Sequence, residues 1–167
     1  MSLSPRPISP EGVAAALAKA ERYRLLNEPG EAESICLDAL MTDPDNQEAL
    51  ATLLLALTDQ FVGNPRRIAD AWATVERMRD DYERAYYTGI IYERRAKALL
   101  AHETPRGGSR AYEWIREAMV HYERAEAIRP QNNDDALLRW NACARLIMQD
   151  RHLEPSREEP SEPLLSE

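Results

Sequence analysis

Three histidines, two cysteines and a few adjacent acids are the residues of this sequence with chemistry to offer. His102, His121 and His152 never stand at a spacing that puts two ligands on one helical face, H-E-x-x-H is absent, and Cys36 and Cys143 each lack a second cysteine nearby. No metal site is therefore expected, and the histidines read as surface residues. Gly107-Gly108-Ser109 resembles a phosphate cradle in composition but lacks the further glycine and the Lys-Ser/Thr of a P-loop. It reads as a flexible turn ending in an N-cap at Ser109. Asp80-Asp81, Asp134-Asp135 and Glu158-Glu159 pair carboxylates in sequence only, because successive residues on a helix point apart. At a helix start such pairs complement the macrodipole. With no Ser/His/Asp or Cys/His arrangement in sight, the chain is expected to be no enzyme and to use no cofactor.

The elements that carry these residues follow from composition and punctuation. The 167 residues hold 21 Lys plus Arg against 29 Asp plus Glu, a net charge of -8, which disfavours nonspecific binding to nucleic acid or an anionic membrane. No apolar run approaches the roughly 20 residues that cross a bilayer, and Met1 to Pro10 does not read as a signal peptide. A cytoplasmic location is expected, with Cys36 and Cys143 as buried free thiols in Ala/Leu-rich text. None of the 11 prolines interrupts an apolar-periodic run. Ser9-Pro10 and Asn64-Pro65 pair a capping side chain with Pro at a first helical position, whereas Glu28-Pro29-Gly30 and Asp43-Pro44-Asp45 read as turns. Periodicity between these marks predicts seven helices, near 10–27, 30–42, 46–60, 65–79, 82–103, 109–128 and 133–150. No segment alternates as a half-buried strand does, so the fold class is all-α. Residues 1–9 and 151–167, rich in Pro, Ser and Glu, are expected to be flexible tails around one domain over 10–150.

Within the helices a spacing recurs. Ala20-x2-Tyr23 precedes Ala32-x3-Cys36-x2-Ala39-x4-Pro44, and Gly89-x2-Tyr92 precedes Ala118-x3-Tyr122-x2-Ala125-x4-Pro130. A weaker middle copy has Leu54 and Leu57, then Ala71-x3-Val75-x2-Met78, without a closing Pro. This pattern resembles the tetratricopeptide repeat (TPR), a helix pair with a period near 34 residues. Gly89 to Ala118 spans 29 residues where Ala20 to Ala32 spans 12, so the third pair carries an insertion of 17 and a protruding loop at 104–109. The resemblance implies three TPR-like repeats stacked as a right-handed superhelix of antiparallel pairs. A terminal helix follows, packing Ala136, Trp140 and Cys143 and turning Arg139 and Arg145 outward.

The resemblance also implies a concave face lined by the first helix of each pair. The family's register points to Leu17, Glu21 and Arg24, then Ala51, Leu55 and Thr58, then Tyr86, Ile90, Glu93 and Arg94, with Asn141 and Arg145 from the last helix. Of these, Arg24, Tyr86, Arg94, Asn141 and Arg145 are the expected partner-binding residues. Charge is unevenly spread: residues 11–63 hold 3 basic against 10 acidic groups, 84–110 hold 6 against 2, and 149–167 hold 2 against 6. Arg84, Arg94, Arg95, Lys97, Arg106 and Arg110 are thus expected to form a basic patch facing an acidic partner segment or the chain's own tail. The expected function is a non-catalytic adaptor that binds a protein or peptide. The alternative is a structural protein that self-associates into a homo-oligomer through its end helices or extended third pair. RNA is not expected as a partner, because the surrounding acid repels phosphate and no stacking platform is evident.

Overall fold

Helix-favouring text between caps produces an all-α chain in the computed structural model, which describes residues 3–156. A 3-10 turn at Pro10–Gly12 leads into α1 (Val13–Leu25), α2 (Pro29–Thr42), α3 (Gln47–Thr58), α4 (Arg67–Glu76), α5 (Asp81–Ala101), α6 (Gly107–Ala127) and α7 (Asp135–Gln149). Several starts are set by side chains: Asn46 Oδ1 accepts from the Ala49 amide at 2.9 Å and Asp80 Oδ2 from the Glu83 amide at 2.9 Å, replacing helical partners those amides lack. Pro29 opens α2, where its missing amide costs nothing. Asn27 takes the left-handed φ of 58° needed to turn α1 into α2, a conformation asparagine tolerates.

Four starts differ from the sequence expectation: α1 begins at Val13, after a 3-10 turn that the Ser9 side chain does not cap, and α7 at Asp135 rather than 133; the other two are α4 and α6. α4 begins at Arg67, because Asn64 to Arg66 close a turn in which the Arg67 amide donates to the Asn64 carbonyl. α6 begins at Gly107 with Arg106 at the cap position in the left-handed region (φ 65°), so Ser109 lies in the first turn and donates back to the Arg106 carbonyl at 3.2 Å.

Each helix packs on the next, and α3 additionally touches both α1 and α5, so the first helices of consecutive pairs lie side by side. The repeated small and apolar positions form the core. Ala20, Ala32, Cys36 and Ala39 are inaccessible, as are Ala118, Tyr122 and Ala125. Leu54, Leu57, Ala71, Val75 and Met78 of the weak middle copy are buried as well. Both cysteines are free and buried, and desolvation pushes each thiol up to about 12, leaving it protonated and unreactive at neutral pH.

The ends of the folded body lie outside 10–150. Ile8 packs on the core and its carbonyl accepts from Thr42 Oγ1 at 3.1 Å. After α7 the chain turns, Leu153 is buried, and the His152 carbonyl lies where a Cβ on Gly108 would sit. Gly108 is therefore required for close approach of residues 151–156 to α6, a segment expected to belong to a loose tail. The remainder of that expected tail, 157–167, and residues 1–2 lie outside the described residues.

Candidate functional site

Arg24 and Arg94 are 70 positions apart in sequence, yet both reach one carboxylate. Arg24, in the last turn of α1, donates through Nε to Asp59 Oδ2 at 2.8 Å, and Arg94 Nη1 on α5 lies 3.7 Å from Asp59 Oδ1. Asp59 follows the last residue of α3, so the side-by-side packing of α1, α3 and α5 assembles the trio. Together with Leu25 and Asn27 they line an open cleft of about 240 Å³. Two guanidinium groups sharing one carboxylate leave a surplus positive charge. Arg94 makes no hydrogen bond among the described residues, and its Nε is shut off from water without a partner. A buried N–H left unpaired costs on the order of 1–3 kcal/mol, while the exposed part of the Arg94 side chain, 38% accessible, leaves guanidinium donors that a carboxylate in the cleft can meet. Beside the cleft, Leu25 and Leu26 are largely exposed, at 84% and 62%.

Other expected groove residues lie elsewhere. Leu17, Thr58, Ile90 and Glu93 are buried in the interior and cannot meet a partner. Their register is displaced because the first helices, packed on both neighbours, bury more than one stripe of side chains. Ala51 and Leu55 are half-buried and Glu21 is exposed. Tyr86 is half-buried in a ring cluster, 5.9 Å from Tyr82, 5.1 Å from Tyr87 and 5.9 Å from Tyr122 between centroids. Desolvation raises its hydroxyl above the ordinary tyrosine value and Tyr87 to about 12, so both stay neutral. On α7, Asn141 is half-buried and Arg145 exposed.

The six cations of the expected basic patch have separate surroundings. Arg94 belongs to the cleft; the Arg95 guanidinium lies 4.0 Å over the Trp114 ring on α6, a cation–π contact; and Lys97 pairs with Glu93 at 2.6 Å. Arg84, Arg106 and Arg110 are exposed, the last two at the α5–α6 connection. His121 is not a bare surface histidine. It stacks on Tyr92, whose other neighbour is Trp72, and partial burial together with Arg124 lowers its affinity for a proton.

Sequence reasoning placed Glu93 in the groove and missed that it is the most densely bonded side chain among the described residues. Glu93, only 1% exposed, accepts from Lys97 Nζ at 2.6 Å, from Tyr122 Oη at 2.7 Å, and from Arg139 through Nε at 3.1 Å and through Nη2. Arg139, expected on the outer face of α7, is half-buried and turned inward to this carboxylate. Burial alone would raise the Glu93 pKa, but the hydrogen bond from Arg139 and the charge of Lys97 outweigh it and hold the carboxyl below its ordinary value. The available signal was a Glu amid apolar residues on the third pair's first helix with an Arg in the next helix but one, a pattern that names no contact.

Among the described residues no cluster of His, Cys, Asp and Glu is arranged to hold a metal ion, and no helix is long and apolar enough to cross a membrane. Compared with protein-family models, curated proteins and solved structures, the chain matches none of them.

Proposed function

We propose that the chain is a TPR-like, non-catalytic interaction module of the cytoplasm, which binds an acidic peptide or helix of a partner protein across the first helices of its pairs. The observation that carries this reading is the Arg24–Asp59–Arg94 cleft: surplus positive charge, an unpaired guanidinium N–H and adjacent exposed leucines on one face. Acidic side chains pair with the exposed side of the Arg94 guanidinium, and neighbouring apolar residues cover Leu25 and Leu26. The burial of every repeated small residue supports the repeat reading. Affinity capture with wild type beside an Arg24→Glu, Arg94→Glu double variant tests it. The expected result is a set of proteins recovered by wild type alone, whose acidic segments bind directly and lose about 2 kcal/mol, roughly thirtyfold in Kd, on the double substitution. Identical recoveries would refute the cleft as the partner site.

One feature favours the alternative of self-association. The last helix, α7, leaves Leu138 61% and Met148 83% exposed, whereas a terminal unit of a repeat stack ordinarily has a polar outer face. Light scattering across a concentration series decides: the adaptor reading expects a constant mass of 19.0 kDa. A mass that climbs with concentration, and returns to the monomer in Leu138→Glu, Met148→Glu, would install self-assembly in its place.

A further inference from the structure

We propose that residues 158–165 of the chain itself, Glu158-Glu159-Pro160-Ser161-Glu162-Pro163-Leu164-Leu165, dock on the Arg24–Asp59–Arg94 cleft and compete there with the partner. The competitive part rests on the reading of that cleft as the partner site; the docking itself does not. Residues 157–167 hold one Arg and four Glu, opposite in sign to the cleft. Their Leu164-Leu165 pair, two residues beyond Glu162, matches the exposed Leu25 and Leu26.

Position makes the contact reachable. The last described residue, Ser156, lines a cavity with Thr104, Arg106 and Arg110 at the α5–α6 connection. Arg94 lies seven residues before Ala101, about 10 Å along α5 at 1.5 Å per residue, and Thr104 follows three residues beyond that helix end. Six extended residues from Ser156 to Glu162 cover about 20 Å. Glu162 can therefore present its carboxylate to Arg94, with Glu159 on the approach and the leucines beyond. Pro160 and Pro163 fix φ and lower the entropy lost on ordering an extended segment.

Arg106 and Arg110 are nearer to Ser156 but make the weaker site. Both are solvated, with Glu103 and Glu113 close in sequence, and an exposed ion pair there is worth about 0–1 kcal/mol. Arg94 instead stands beside a second guanidinium, that of Arg24, and makes no hydrogen bond among the described residues, so a carboxylate at its exposed side meets two cations at once.

A nitroxide on Ser166→Cys in the full chain tests this directly, since Cys36 and Cys143 are buried and leave the new thiol as the reactive one. The amide signals of Leu25, Asn27, Asp59 and Arg94 are expected to broaden. Recovery should follow in Arg94→Glu, in the tail variant Glu159→Lys, Glu162→Lys, which alters no residue of the helices, and in 1 M salt, where the screening length is about 3 Å. Broadening confined to Arg106–Arg110, broadening spread evenly, or broadening that survives the tail variant overturns the docking. If capture of a partner depends on Arg24 and Arg94 while these four amides stay sharp, the partner site stands and the tail does not occupy it. Broadening of the four amides with capture unaffected by the cleft variants upholds the docking and removes the partner site.

Discussion

Glu93→Ala is expected to destabilise the protein by about 3–5 kcal/mol, the cost of leaving buried charge without its partner. Arg139 and Tyr122 converge on this carboxylate from α7 and α6, so one substitution strips the polar link between α5 and both helices that follow it. Tyr122→Phe removes one hydrogen bond to a charged group and is expected to cost less, about 1.5–3 kcal/mol. Replacing Glu93 and Arg139 together with methionine removes both charges, and most of the lost stability should return. Urea unfolding of the three variants measures all of this; equal costs for the single and the paired replacement would show that packing, not charge, is at stake. Acid titrates the same link. Because the folded Glu93 binds its proton more weakly than the ordinary value of 4.5, its contribution is fully present above that pH and disappears as pH falls through the lowered folded value. Wild type should thus lose stability below pH 4.5 more steeply than the paired methionine variant.

Gly89→Ala should destabilise by about 1–3 kcal/mol, although the same change on an exposed helical face would stabilise by about 1 kcal/mol through propensity alone. A Cβ at position 89 would stand 2.5 Å from Tyr122 Cε1 and 2.8 Å from Cδ1. Tyr122 has no room to yield: its ring is fully buried and its hydroxyl is tied to Glu93. Overlap must be relieved by parting α5 from α6, which share the most extensive helix contact in the molecule. Thermal unfolding of Gly89→Ala alone and combined with Tyr122→Ala distinguishes the causes. If the double variant costs as much as the sum of the singles, the two residues are uncoupled and the close approach is not what requires glycine.

The two results meet at one place, and they mark how far a sequence can be followed. Gly89 and Tyr122 were legible as a repeat of the Ala20 and Cys36 positions, because close helix packing demands a small residue at a fixed spacing. Prolines and apolar periodicity located the seven described helices to within a few residues, since these are local properties of the backbone, whereas the side chains of Ser9, Asn64 and Ser109, expected as caps, cap none of them. Arg24 and Arg94 were chosen from a register on separate helices, and the structure brings both to Asp59. Glu93 was placed on the same binding face and Arg139 on an outer one, yet they form a buried pair 46 positions apart.

By itself, then, the sequence determined an all-α chain, the order and approximate positions of its helices, and the small residues on which pairs close, because all of these depend on neighbours within one or two turns. Tertiary structure alone decided which charges face water and which face each other. A helical period specifies the side of a helix a residue occupies, but Coulomb energy and desolvation depend on what the adjacent helices place opposite it. That is why one glutamate of α5 became an internal lock, while one residue on, about 100° of helical rotation away, Arg94 lies half-exposed beside Asp59.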